Sequence, residues 1–170
     1  MKNVIFIGMP ASGKSTIGVV VAKRLGYDFI DTDLLIQKQE GKLLKDIIEE
    51  VGSDGFLRIE NRGNRELQAE RSVIAPGGSV IYCREAMEHF QELGTIVYLK
   101  VPCETIYSRI SDVKNRGVVL KENQTFREMY AERTALFERY ADYIVDEEGL
   151  SLNETIDEVL LHLQNESLVV

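Results

Sequence analysis

One short run, from Gly8 to Thr16, carries the clearest chemistry in the sequence: Gly8, Met9, Pro10, Ala11, Ser12, Gly13, Lys14, Ser15 and Thr16. It has the form GxxxxGK[ST] and follows an apolar run directly. Glycines at both ends let backbone N–H groups turn inward around phosphate oxygens. Lys14 supplies a cation for the terminal phosphates, and the Ser15 hydroxyl is a ligand for Mg²⁺. A helix starting behind the lysine adds the partial positive charge of its N-terminus. The pattern predicts that Gly8, Ala11, Ser12, Gly13, Lys14, Ser15 and Thr16 hold a nucleotide.

Acidic partners follow at Asp31 and Asp33, at the end of the run Asp28 to Asp33. The run ends a strand with carboxylates at i and i+2, so both are expected to point to one side. Phosphoryl transfer needs one group near Mg²⁺ and one that orients or deprotonates the accepting hydroxyl, and two nearby acids can divide these tasks. A solvated cap of the next helix is the plainer reading, and Asp146 is a rival metal-site acid within the acidic stretch Asp146, Glu147, Glu148. Pro76, Gly77 and Gly78 suit a close approach of backbone to ligand, or an ordinary turn. Arg133 lies within the helical stripe Phe126, Tyr130, Phe137, Tyr140, so its guanidinium needs an anionic partner. That partner is either an internal acid such as Glu60 or a substrate carboxylate. Arg116 is placed to act as an arginine finger or is a solvated loop residue, and Arg109 is placed to stack on adenine.

These residues need a scaffold, and short apolar runs alternating with helical patterns predict βαβ units around a parallel sheet. Strands are expected at Val4–Ile7, Asp28–Ile30, Val73–Ala75, Thr95–Val101 and Tyr143–Val145. Helices are expected after the phosphate loop up to Gly26, over Lys42–Glu70 with a break near Gly52–Gly55, and over Arg84–Leu93 and Cys103–Asp112. Capping boxes at Thr125/Glu128 and Ser151/Glu154 open two more. Residues 114–124 carry Asn, Gly and charge without a period, as a lid does.

Composition narrows the function classes. The chain has 170 residues, 44% apolar and 28% charged, which fits one globular domain with one core. Its net charge of −8 disfavours a nucleic-acid backbone as partner. No apolar run approaches the roughly 18–20 residues that span a bilayer, so no membrane partner is expected. Cys83 and Cys103 are isolated, and His89 and His162 are the only histidines. A disulfide framework and a zinc site are therefore not expected, and a cytoplasmic location is.

Taken in order, the segments GMPASGKSTIG, FIDTD, GSDGFLRIE, APGGSV, KNRGVVL and AERTALFERYAD resemble the shikimate kinase family, within the nucleoside-monophosphate-kinase-like P-loop kinases. The resemblance implies an α/β fold in three layers. A five-stranded parallel sheet of order 2-3-1-4-5 is flanked by helices, with an acceptor-binding region over about 34–70 and a lid over about 113–124. It implies transfer of the ATP γ-phosphate, with Mg²⁺, to the 3-hydroxyl of shikimate by a chain for which a monomer needs no added assumption. Lys14 and Ser15 match the phosphate-loop lysine and metal-binding hydroxyl, Asp31 the acid near Mg²⁺, and Asp33 the acid that holds the substrate hydroxyl. Gly77, Gly78, Phe56 and Glu60 match substrate-side residues, Arg116 the catalytic lid arginine, and Arg133 the arginine that pairs with the substrate carboxylate. The sequence departs from the family at Leu57, where a second carboxylate-binding arginine is usual, at Pro76 in place of glycine, and at Gly117 after Arg116. The Leu57 departure keeps two alternatives open: a kinase for another small hydroxylated metabolite, and a nucleotide-binding module without transfer activity.

Overall fold

The computed structural model describes residues 2–110, 121 and 123–165. Five strands form one parallel sheet: β1 (Asn3–Ile7), β2 (Asp28–Asp31), β3 (Ser72–Ala75), β4 (Gly94–Lys100) and β5 (Tyr143–Asp146), in the spatial order β2-β3-β1-β4-β5. The expected order is thus the observed one, and each predicted strand agrees with the structure to within a residue or so. All of β1 is buried because it lies in the centre of the sheet, with β3 on one side (Val4 opposite Val73) and β4 on the other (Val4 opposite Thr95). Its alternating side chains feed two separate cores. Ile5 and Ile7 pack with Met87, Phe90 and Phe137, while Val4 and Phe6 pack with Ile17, Val21, Ile156 and Val159. Val4–Ile7 are apolar on both faces and read as a continuous run, while the buried Asn3 side chain is hydrogen-bonded to Ala69 O, Leu93 O and Ser72 N.

The helices are α1 (Lys14–Leu25), α2 (Thr32–Glu40), α3 (Leu44–Arg65), α4 (Arg84–Leu93), α5 (Cys103–Ile110), α6 (Phe126–Tyr140) and α7 (Leu152–Asn165). Both predicted capping boxes form. Thr125 N donates to Glu128 Oε2 (2.8 Å) while Glu128 N donates to Thr125 Oγ1 (3.3 Å). Ser151 N and Glu154 N make the same reciprocal pair at 2.7 and 3.3 Å. The break expected in the third helical segment is at Gly52, whose φ of 71° and ψ of 176° interrupt α3. A third apolar cluster, Ile36, Ile47 and Phe56, joins α2 to both halves of α3.

Two expectations change. Asp33 does not continue β2. Asp31 Oδ1 accepts from Asp33 N (3.0 Å) and Leu34 N (3.3 Å), so the strand ends at Asp31 and a helix begins at Thr32. The i, i+2 alternation therefore does not relate the two acids. A short 3₁₀ turn, Val80–Tyr82, was not predicted. Most of the expected lid, including Arg116 and Gly117, lies outside the described residues, as do the last two residues of the helix expected over Cys103–Asp112. Among the described residues no helix is long and apolar enough to cross a membrane.

Strand order places the chemistry. The phosphate loop leaves the carboxyl end of β1, Asp31 closes β2, and Pro76–Gly78 follow β3. Because β2, β3 and β1 are neighbours, three loops open onto one crevice at the carboxyl edge, where open α/β sheets bind ligands.

Candidate active site

A cavity of about 630 Å³ occupies this crevice. Lys14 forms its floor. The side chain is buried, and Nζ donates to Gly8 O (3.0 Å) and Met9 O (2.8 Å), folding back over its own loop. Burial lowers the Lys14 pKa to about 8, opposed most by the Asp33 carboxylate. Gly8 has no room for a side chain, since a β-carbon there would lie 2.8 Å from Leu99 O and 2.9 Å from Ser12 Oγ. Gly13 caps α1 with a left-handed φ of 89°, and Ala11 shares that backbone region at φ 62°. Ser12 is buried under the loop, with its N donating to Met9 O, while Thr16 is exposed at the cavity edge.

Ser15 Oγ donates to Asp31 Oδ2 at 2.9 Å, while Oδ1 caps α2. Asp31 is thus both the helix cap and an acid at the phosphate loop, roles that the sequence reading had set against each other. The hydroxyl and carboxylate oxygens converge on one point, and among the described residues no group of three or more His, Cys, Asp or Glu could hold a metal ion. Two protein oxygens beside a phosphate-binding loop suit Mg²⁺, which keeps several waters and takes the rest of its shell from phosphate. Asp146 is exposed, accepts from Glu148 N at 3.0 Å, and does not line the cavity.

Asp33 and Glu60 form the acidic wall. Burial, and then the neighbouring Asp31, raise the Asp33 pKa to about 6. Glu60, on the second half of α3, is fully buried. Its Oε2 accepts from Ser79 Oγ at 2.6 Å, and its Oε1 has no hydrogen-bond partner among the described residues. Burial raises its pKa to about 7. Gly77 separates the two acids. A β-carbon there would lie 2.7 Å from Glu60 Oε1 and 2.9 Å from Asp33 Oδ1, so no side chain fits. Gly78 packs against Pro10 of the phosphate loop.

On the opposite wall Arg133 is 1% exposed, the largest fully buried side chain in the protein's described residues. Its guanidinium carbon lies 5.5 Å from the centre of the Tyr82 ring. Phe56 lines the cavity with Leu44 and Ile48. The last two are four residues apart on α3, a spacing that would have disclosed them, and Ser79 directly follows the glycine pair. Leu57 does not line the cavity; it packs against the core that holds Cys83, whose Sγ donates to Leu57 O at 3.4 Å. Arg58 is exposed, so neither residue brings a second guanidinium to the acceptor wall. Arg109 reaches over the phosphate loop, where Nη1 donates to Ala11 O at 3.0 Å, and it too lines the cavity.

A phosphate-cradling loop with a buried lysine, a hydroxyl–carboxylate pair beside it, and further acids and a buried arginine lining the same cavity define a P-loop kinase of a small molecule, a phosphotransferase with ATP as donor. The shikimate kinase family model matches residues 10–164, and the chain belongs to that family. It is 34% identical over 161 residues to the shikimate kinase of Persephonella marina, covering 94% of this chain and 98% of that one. Shikimate kinase from Acinetobacter baumannii in complex with shikimate superposes with a TM-score of 0.88 at 30% identity, over 97% of this chain and 94% of that one. Deoxyadenosine kinase from M. mycoides shares the fold alone, with a TM-score of 0.58 at 15% identity, over 96% of this chain and 99% of that one.

Proposed function

We propose that the chain transfers the γ-phosphoryl group of ATP, with Mg²⁺, to the 3-hydroxyl of shikimate. The observation that carries this reading is one cavity holding the phosphate loop, Asp33 and Arg133 together, in a chain that follows the fold of the shikimate-bound A. baumannii enzyme.

In this reading the backbone of Gly8–Thr16 cradles the phosphates, and Lys14 exchanges its bonds to Gly8 O and Met9 O for phosphate oxygens. A transferring phosphoryl group spreads charge over its equatorial oxygens, and a buried ammonium stabilises that charge more than a solvated one does. Ser15 and Asp31 hold Mg²⁺, which when bound neutralises phosphate charge. Asp33 accepts the hydrogen bond of the reacting hydroxyl, orients it for in-line attack and takes its proton. Arg133 pairs with the acceptor carboxylate, a charge-assisted contact worth roughly 1.5–3 kcal/mol. Phe56, Leu44 and Ile48 cover an apolar face of the ring, and Glu60 and Gly77 bound its hydroxyl side. Arg109 packs over the base. Arg116 carries the role of a lid arginine on the strength of the family match alone. The reading takes a single-domain monomer acting in the cytoplasm.

The Leu57 position favours one variation, an acceptor that does not need two guanidinium contacts, because position 57 is turned to the core. The test for both is ADP release with Mg²⁺ and ATP, with and without shikimate. Shikimate-dependent turnover is the expected outcome. None, from protein that binds ATP, would move the acceptor to another small hydroxylated acid.

A further inference from the structure

Tyr82 closes the 3₁₀ turn that follows the glycine pair. It is half-buried and does not line the cavity. Its hydroxyl donates to Glu132 Oε1 at 2.6 Å, and its ring faces two cations: the Arg133 guanidinium carbon is 5.5 Å from the ring centre and Lys121 Nζ 5.4 Å. Glu132 is itself held. Lys121 Nζ pairs with Oε1 at 2.7 Å, and Gln124 Nε2 donates to Oε2 at 3.2 Å. The carboxylate that fixes the Tyr82 hydroxyl therefore neighbours Arg133 on α6, and the ring it fixes lies against the Arg133 guanidinium. A π face attracts a cation and also restricts the plane of a guanidinium lying near it. That plane decides whether the two N–H groups of the fork meet a carboxylate together or one at a time. No second arginine from position 57 or 58 reaches the acceptor wall to compensate for a misaligned fork.

We propose that Tyr82 is a positioning residue for the acceptor: its ring, held through Glu132, sets the plane in which Arg133 meets the acceptor carboxylate. The inference rests on the reading of Arg133 as the carboxylate site. Tyr82 does not line the cavity that holds the phosphate loop and Asp33, so its effect runs through Arg133, falls on acceptor binding and leaves ATP binding alone.

The experiment is steady-state kinetics with shikimate and ATP for wild type, Tyr82→Leu, Tyr82→Phe, Glu132→Gln and Arg133→Lys, with circular dichroism of each. Tyr82→Leu is expected to raise KM for shikimate by roughly 5- to 30-fold, with KM for ATP unchanged and kcat within about threefold. Tyr82→Phe, which keeps the ring but loses the hydroxyl's bonds to Glu132 and to the Arg133 side chain, recovers part of the loss. Binding of shikimate methyl ester, which lacks the negative charge, is expected to differ little between wild type and Tyr82→Leu. A folded Tyr82→Leu protein with wild-type KM for shikimate, or with both KM values raised in step, overturns the proposal. If Tyr82→Leu does not fold, Tyr82→Met, which also removes the ring, decides in its place: a raised KM for shikimate alone supports the proposal, and wild-type KM values overturn it. Arg133→Lys separates the two ideas. If it leaves KM for shikimate unchanged, the carboxylate reading falls and Tyr82 with it. If it raises KM and the Tyr82 variants do not, only the positioning role is lost.

Discussion

Pro10 and Gly78 meet in the wall of the cavity, where the phosphate loop touches the turn after β3: a β-carbon on Gly78 would come within 2.7 Å of Pro10 Cδ and 3.0 Å of Pro10 N. One partner atom belongs to a ring and the other to the main chain, so neither swings aside as a flexible side chain would. The contact fixes the spacing between the phosphate loop and the turn that bounds the acceptor. Gly78→Ala is expected to push the two apart. A displacement of about 1 Å in a reacting geometry lowers turnover by roughly 100-fold. The check is kcat/KM alongside the far-ultraviolet spectrum; a folded variant with wild-type turnover would show that this spacing does not matter.

Asp33 lies beside Gly77, and Asp31 is hydrogen-bonded to Ser15, so under the proposed function the two aspartates are expected to fail differently. Asp33→Asn keeps the shape but cannot accept a proton, and kcat is expected to drop by about 10²- to 10⁴-fold. Equilibrium binding of ATP should be unchanged. A variant within threefold of wild-type kcat would remove Asp33 from the chemistry.

The pH dependence follows from burial. Asp33 must be ionised to take the hydroxyl proton, and its pKa is raised to about 6, so kcat/KM for the acceptor should rise with pH through about 6. Lys14 must be protonated, and its pKa is lowered to about 8, so kcat/KM for ATP should fall as pH rises through about 8. These values belong to the free enzyme, which is what kcat/KM reports. Profiles flat between pH 5 and 9 would contradict both assignments.

Glu60 sets a separate trend in stability. Its pKa is raised from 4.5 to about 7, so the folded protein binds a proton that the unfolded chain has released. Stability from this group is complete below about pH 4.5 and is lost as pH climbs to about 7, a change of roughly 3 kcal/mol. Glu60→Gln keeps an acceptor for Ser79 and has nothing to ionise. Urea denaturation at pH 5 and pH 8 should therefore show the variant gaining on wild type at the higher pH. A constant difference at both would mean Glu60 is not buried as a neutral acid.

Much of this arrangement was legible in the sequence because it is local. The phosphate loop reads directly, since its residues are consecutive and lie between a strand and a helix. The buried Arg133 was visible from its place in an apolar stripe, and both capping boxes from their three-residue spacing. What escaped was long-range or depended on where an element stops. Asp31 ends β2 by turning its carboxylate onto the Asp33 and Leu34 amides, and no period encodes that competition between strand and cap. Tyr82 lies 51 residues from Arg133 in the chain, and only the packing of α6 on the turn after β3 brings them together. Leu57 was conspicuous as an apolar residue among polar neighbours, but whether it faced ligand or core was set by how α3 rotates on α4.

The interruption of α3 also bears on how this protein could be altered. Leu44 and Ile48 stand before Gly52, and Phe56 and Glu60 after it. Both halves of the helix line the cavity; under the proposed function the first half walls the outer part of the acceptor pocket and the second the part beside Asp33. A single residue with φ 71° and ψ 176°, a conformation side-chain-bearing residues avoid, joins them. The outer wall can therefore be varied around Ile47, which has to stay apolar because it packs on Ile36 and Phe56. The rest of residues 44–51 can be exchanged together, to fit a larger or differently shaped acceptor, while Asp33, Glu60 and the phosphate loop stay where they are.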